Sequence, residues 1–418
     1  MVERSLTADE AARRTRRGRQ RRILPIGIVV RWRLMPWWLR VMLVYAVSRI
    51  VTTTLMLVLA GQQAANPWTG AHPGYADFAN IWDGRWYEII AGYGYPKELP
   101  LTDDGHVGEN AWAFMPAYPG LIRVLMELTA LPFTGLAVFV SLAFGLGTAL
   151  LFHRLLSTRL DPSTTLFAVT LFCFAPLSPL LQIGYAESMY LFFLTLALLL
   201  LVRRRYWLLV PVVTVMALTR PSGLAFALAL GLHVVHRWFT RERDPFSVAE
   251  RVAAVSVTVI TGLMGLAWPA AAWIATGNPS AYVETELAWR MPYIGYVELV
   301  PFTAWFQSGV WWLGMPLGIV VVIAVILGFG FALFLPAVRR LGVDVRFWLA
   351  SYALYLLAVF FPQSSTFRLL TPLFPLLGAI AQPRSRVYRA VVVAVFVVLQ
   401  WCWLYLCWAY IGYDWTPP

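Results

Sequence analysis

Apolar runs of about 20 residues recur from one end of this chain to the other, each long enough as a helix to cross a bilayer core of roughly 30 Å. No water reaches backbone polar groups at that depth, so such runs must satisfy them internally as helices. Only 13% of the 418 residues are charged, where a soluble chain carries about a quarter. The mean hydropathy is +0.67. These features dictate an all-α polytopic membrane protein.

The formal charge of +12 raises the question of a nucleic-acid partner, and the placement of the charge excludes one. Of 33 basic residues, 11 lie in the first 40 positions, and most others form short clusters between apolar runs. Basic loops held on the cytoplasmic side produce this pattern. The leader RRTRRGRQRR fits a contact with anionic membrane lipid and equally a plain orientation signal. It runs into a full-length span with no small-residue cleavage site, unlike a secretory signal. Cys173, Cys402 and Cys407 fall in expected spans with neither metal-ligand spacing nor a disulfide framework, which leaves packing as their role.

With the leader inside, about eleven spans follow: 37–60, 133–152, 164–182, 187–202, two flanking the TRPSG turn, 252–275, one ending at Arg339 and Arg340, 347–361, 369–381 and 390–411. In this layout 1–36 is a basic cytoplasmic segment, 37–411 a membrane domain and 412–418 an outer tail. Residues 61–132 form a first large outer loop, and 276–309 form a second that holds Glu284, Glu286, Arg290 and Glu298. The stretch 119–131 is too short to span and carries Arg123 and Glu127, so it is expected along the interface. Inner segments take 26 of the basic residues, and the seven left over are Arg49, Arg85, Lys97, Arg123, Arg220, Arg290 and Arg368. Charges in or beside spans are costly and mark function. No internal repeat is visible, which counts against a transporter built from paired halves.

The stretch from Ile81 to Pro119, opening IWDGRWYEIIAGYGYP and closing AWAFMPAYPG, gathers carboxylates, aromatics and prolines beside hydrocarbon. Trp82, Trp86 and Ile89–Ile90 share one face at helical spacing, predicting a helix on the membrane with Asp83 at the water–lipid boundary. A carboxylate there can accept a proton from a sugar hydroxyl, or simply cap the helix; residue types leave both readings open. Asp77, Glu88 and the Asp103–Asp104 pair are further carboxylates, and LTDDGH reads as a turn in preference to a cation site. His72 and His106 lack partners at ligand spacing. Tyr87, Tyr93, Tyr95, Trp112 and Tyr118 suit an interfacial aromatic belt as well as sugar stacking. Arg220 in LTRPSG and Arg368 in STFRLLTP fall at outer ends of spans. Two guanidiniums facing one leaflet can clamp a phosphate; alternatively each snorkels, or pairs with a carboxylate such as Glu187.

Four blocks, in order, carry a family resemblance. IWDGRWYEIIAGYGYP with AFMPAYPGLIRVL, GYAESMYLFFLTLALLL, ALTRPSGL and STFRLLTPLFPL together resemble the PIG-V-like mannosyltransferases and cover Trp82 to about Leu377. Met115 and Ala117 stand where that family favours Phe and Leu. The resemblance implies a GT-C glycosyltransferase fold, with the active site in the first outer loop and interfacial helices there. It also implies a polyprenyl-phosphate sugar as donor, consistent with the lack of a glycine-rich nucleotide loop.

The mechanism expected from these residues is a single inverting displacement at the anomeric carbon. Asp83 takes the acceptor's proton, worth about 10²–10⁴ in rate, while Arg368 and Arg220 neutralise the departing phosphate. Glu88, Tyr87, Trp82, Arg85, Tyr118 and Glu187 would hold the sugar and acceptor or orient the arginines. No metal and no cofactor is expected beyond the lipid-linked donor, because fixed arginines can serve a monophosphate. The partners expected are polyprenyl-phosphate-mannose, a glycolipid or glycan acceptor and membrane lipid, at the extracytoplasmic face of a plasma membrane. Two rivals stand: the same fold with another lipid-linked sugar such as arabinofuranose, and a non-enzymatic lipid-linked-sugar flippase.

Overall fold

The computed structural model describes Trp32 and residues 34–410; the rest of the basic leader and the expected outer tail lie outside the described residues. In chain order the longer helices begin with α1 (Trp37–Ala60), followed in the first loop by α2 (Asp83–Tyr93) and α3 (Ala117–Thr129). Next come α4 (Phe133–Leu156), α5 (Pro162–Phe174), α6 (Glu187–Val202), α7 (Tyr206–Ala217), α8 (Gly223–Phe239) and α9 (Val248–Thr276). The second loop holds α10 (Ala281–Ala288). The chain continues through α11 (Ala304–Leu313), α12 (Leu317–Ala332), α13 (Val343–Val359) and α14 (Arg386–Cys407). No strand forms among the described residues; an isolated bridge between Leu101 and Val107 closes the turn at Asp103 and Asp104.

Among the described residues four helices, α1, α4, α9 and α14, are long and apolar enough to cross a membrane. Others, including α5, α6, α7, α8 and α12, are apolar but shorter. At 1.5 Å per residue a helix the length of α7 reaches about 18 Å, short of a bilayer core of roughly 30 Å. Beside the about eleven spans expected from the sequence, the described residues form four long apolar helices with shorter ones packed among them.

Two expected spans are broken, both around prolines. The run 164–182 ends its helix at Phe174, ahead of Pro176, and resumes as a 3₁₀ turn, Ser178–Leu181, that includes Pro179. Proline supplies no N–H and disfavours helix in the residue before it. The freed carbonyls of Cys173 and Ser178 accept hydrogen bonds from Arg49, at 2.8 and 2.7 Å, and Arg49 also donates to Gln182 at 2.9 Å. Arg49 is buried within α1 and meets no carboxylate among the described residues. A cation at a helix C-terminus is favourably placed. The run 369–381 is likewise divided, into Thr366–Leu369, the 3₁₀ turn Thr371–Leu376 and Leu377–Ile380, around Pro372 and Pro375.

The main core forms where α4 and α7 pack on α6 and where α8 lies against α9 and α13. Phe152, Phe226 and Trp348 are fully buried within it. Gly223 and Gly265 bring α8 and α9 into backbone contact, since a Cβ on Gly223 would overlap Gly265. That approach fixes the TRPSG turn against α9. In the first loop, α2 turns Asp83, Gly84, Tyr87, Ile90 and Ala91 inward, and Ile89 is exposed. The expected membrane face of Trp82, Trp86 and Ile89–Ile90 is therefore split, because packing on α3 sets the helix phase. Helix α3 buries Tyr118, Pro119 and Ile122 and exposes an Arg123–Glu127 pair at 3.1 Å.

Candidate active site

The site begins with a strained turn. Ile81 accepts the N–H of Gly84 at 3.2 Å, and Trp82 between them has φ 59° and ψ −124°. That conformation belongs to the first central position of a type II′ turn, where glycine is usual. For a tryptophan it stores roughly 1–3 kcal/mol. Trp82 occupies the N-cap place of α2, and Asp83 is the first helical residue. The helix has no side-chain cap, so the capping role considered for Asp83 does not hold.

The GYAES segment docks directly on this turn. Gly184 donates its N–H to Ala79 at 2.9 Å, and the Asp83 N–H donates to the Tyr185 hydroxyl at 3.3 Å. A Cβ on Gly184 would overlap the Asn80 side chain, so the two segments meet only because residue 184 is glycine. Three residues further on, Glu187 opens α6. This docking brings Asp83 and Glu187 to one place.

Two arginines meet them there. Arg368 donates to Asp83 and Arg220 to Glu187, each in a short contact. The crossed distances are 4.0 Å from Arg220 to Asp83 and 3.7 Å from Arg368 Nε to Glu187. The Arg368 guanidinium also lies over the Tyr185 ring, 5.3 Å from its centroid. Side-chain exposure is 12% at Asp83 and 3% at Glu187, so Asp83 keeps an open edge and Glu187 is sealed. Glu187 Oε2 and Arg368 Nε have no hydrogen-bond partner in this arrangement.

The other residues singled out from sequence lie around this group without joining it. Arg85 and Glu88 pair with each other at 2.7 Å, and Arg85 also donates to the Trp68 carbonyl at 2.8 Å. Trp82 packs against Trp68, with ring centroids 5.1 Å apart. Tyr87 is buried edge-on to Phe114 and Tyr118. Tyr118 is fully buried, with its hydroxyl 3.2 Å from both the Ala137 carbonyl and Ser141 Oγ. Both tyrosines are thus core residues of the first loop, with no surface offered to a sugar.

Sequence reasoning did not single out Glu286. Helix α10 buries Ala281, Thr285, Leu287 and Ala288. Asn110 of the first loop donates to Thr285 at 2.8 Å, and the Trp268 indole of α9 donates to the Trp112 carbonyl at 2.9 Å. The first contact joins the two outer loops, the second ties the first loop to α9, and Glu286 is left exposed to water. Protein nevertheless surrounds it closely enough for desolvation to push its carboxyl up to about 7. The Tyr282 hydroxyl, one turn earlier, favours its ionised form, and Arg220, Arg368 and Asp83 are the charges acting on it. The only sequence signal is the Tyr282–Glu286 spacing on a helix with a small-residue inner face.

No protein-family model matches the chain, and no curated relative does. Two structures of the archaeal oligosaccharyltransferase AglB from Archaeoglobus fulgidus are similar to it. One, in complex with an inhibitory peptide and a dolichol-phosphate, aligns at 12% identity with a TM-score of 0.43. The other, tethered by a disulfide bond to an acceptor peptide containing the NVT sequon, aligns at 12% identity with a TM-score of 0.44. Each alignment covers 87% of this chain and 55% of the other, so the chain spans about half the length of those structures. Such a likeness assigns neither family nor activity.

Two cavities complete the surroundings. An apolar one of about 790 Å³ is lined by Phe172, Trp305, Phe329, Leu354, Phe367 and Phe374, among others. Thr366, Phe367 and Leu370 on its wall flank Arg368 in sequence, so the ion cluster and the apolar space share one short helical turn. A polar one of about 450 Å³ lies between the outer loops, with Lys97, Glu98, Asn278 and Glu284 in its lining. His106 and Tyr296 stack there, with ring centroids 3.8 Å apart.

Proposed function

We propose that this chain is a membrane glycosyltransferase of the GT-C type, moving mannose from polyprenyl-phosphate-mannose to a lipid-anchored or glycan acceptor. The reaction is an inverting single displacement at the extracytoplasmic face of the plasma membrane. The observation that carries this reading is the group Arg220, Arg368, Asp83 and Glu187 standing beside an apolar cavity of about 790 Å³. A polyprenyl phosphate needs that combination: an apolar space for its tail and guanidiniums for its phosphate. Arg368 keeps an Nε–H free of any hydrogen-bond partner, and Phe367 beside it lines the apolar wall.

In this reading Asp83 and Glu187 hold the two arginines in register while the site is empty. The arginines then stabilise the charge that develops on the departing phosphate. Of the two carboxylates, Asp83 keeps an open edge and Glu187 is sealed. Mannose as the sugar follows the resemblance of the four sequence blocks and has no other support.

The test is sugar transfer by membranes carrying the overexpressed chain, supplied with radiolabelled polyprenyl-phosphate mannose. A new mannosylated product, lost in Arg368→Ala and Arg220→Ala at equal protein level, supports the reading. A product formed only from another lipid-linked sugar corrects the donor. No product from wild type with any lipid-linked sugar ends it.

A further inference from the structure

The proposed displacement needs a proton acceptor, and the structure separates three carboxylates by what already occupies them. Asp83 is engaged by Arg368 and lies 4.0 Å from Arg220. Glu187 is sealed, and it answers Arg220 at contact and Arg368 at 3.7 Å. Glu286 makes no ion pair among the described residues and is open to water; Trp289, three residues after it, meets Trp86, three residues after Asp83, with ring centroids 6.0 Å apart, which sets the end of α10 against α2 beside the charged group.

Resting on the glycosyltransferase reading above, we propose that Glu286 is the general base that accepts the acceptor hydroxyl's proton, and that Asp83 is a positioning residue for Arg368 and Arg220. The acceptor oxygen forms its bond to the anomeric carbon as the bond from that carbon to the phosphate oxygen breaks. The electron pair leaves with the polyprenyl phosphate, and the proton ends on the Glu286 carboxylate.

Geometry and chemistry agree on this division. A base must face both the acceptor and water, because it returns its proton to solvent after each turnover; Glu286 is exposed and Glu187 is not. Helix α10 is held in place by the Asn110–Thr285 hydrogen bond, one residue from Glu286. The groups acting on Glu286 are Tyr282 on its own helix, Arg220 and Arg368 from their turns, and Asp83 from α2; Tyr355 of α13 interacts with it as well. A carboxyl poised at about 7 suits proton transfer near neutrality, since general bases work best with a pKa near the operating pH. Above that value the group is ionised and can accept a proton; below it the group is already protonated.

The deciding experiment is a pH profile of sugar transfer from polyprenyl-phosphate mannose by the full chain in lipid nanodiscs. Wild type is compared with Glu286→Gln, Glu286→Asp and Asp83→Asn. Wild-type kcat is expected to rise with pH through about 7. Glu286→Gln should lose about 10²–10⁴-fold in kcat along with that rising limb, with donor KM little changed, and Glu286→Asp should recover part of the rate and the limb. Asp83→Asn should be slower yet keep the limb. If Glu286→Gln keeps the limb and Asp83→Asn loses it, the assignment is overturned while the glycosyltransferase reading stands. If wild type transfers no sugar from any lipid-linked donor, that reading falls and takes this assignment with it.

Discussion

Arg368 closes on Asp83 from 285 positions further along the chain, joining the turn after α13 to the first residue of α2. The contact is largely buried, with side-chain exposures of 10% and 12%. Removing one partner of such a pair strands the other, at about 3–5 kcal/mol. Arg368→Ala and Asp83→Ala should each lower stability towards denaturant by an amount approaching that. The double variant should be less destabilised than the sum, with a coupling of about 1–3 kcal/mol. Strict additivity in the double-mutant cycle would show that the pair contributes no coupling energy.

Tyr282 tunes Glu286. Its hydroxyl favours the ionised carboxylate and so opposes the upward push of burial. Tyr282→Phe removes that opposition, and the carboxyl should then titrate above about 7. A hydrogen bond worth about 0.5–1.5 kcal/mol corresponds to a shift of up to about one pH unit. The rising limb of the rate profile should therefore move to higher pH. A limb that stays put or moves down argues that the tyrosine is only packing.

Trp82 offers a test of backbone strain. Its φ of 59° suits glycine and disfavours any residue with a Cβ. Both Trp82→Ala and Trp82→Gly lose the contact with Trp68, so they differ chiefly in backbone freedom. Trp82→Gly should be more stable than Trp82→Ala by about 1 kcal/mol, the reverse of the order found inside helices. Thermal unfolding of the two variants in one detergent decides it; the ordinary order would mean that the turn relaxes.

Gly330 probes the apolar cavity. It lies on the cavity wall, and a Cβ there meets no atom within 4 Å. Gly330→Leu should therefore fill the cavity without disturbing its neighbours. If the cavity holds the donor's tail, KM should rise several-fold for long polyprenyl donors and stay constant for short ones. An equal change for both lengths would remove the tail from this cavity.

The four charged residues of the cluster are legible in the sequence because a charge at the edge of an apolar run has few reasons to be there. Pairing with Glu187 is one of the readings the sequence offers, and Arg220 makes it; the meeting of Arg368 with Asp83 is not legible, since it depends on Gly184 passing over Asn80, a contact that no spacing encodes. Glu286 is hidden for a different reason. Glu284, Glu286 and Glu298 look alike in one polar loop, and only the fold separates them: Glu284 accepts a hydrogen bond from Asn278, while Glu286 precedes by three residues the Trp289 that packs on Trp86 of α2. Tyr87 and Tyr118 show the converse problem, because a tyrosine near a membrane interface suits a belt, a sugar or a core. Packing of α2 on α3 sends both into the core. The two broken spans are equally invisible to a hydropathy window, which averages over prolines that a helix cannot ignore.

Arg49 bears on how the chain enters a membrane. The carbonyl of Cys173 that receives its guanidinium is synthesised 124 residues after it, and that of Ser178 follows 129 residues after it. Until those carbonyls arrive, a charge near the middle of α1 opposes insertion by about 2.5–3.5 kcal/mol. The first helix must then be carried into the bilayer by its leucines and valines alone, and it gains its lasting anchor only when α5 is in place. A nascent chain stopped before residue 173 should thus leave α1 loosely held and open to the quality-control proteases that clear unassembled membrane segments.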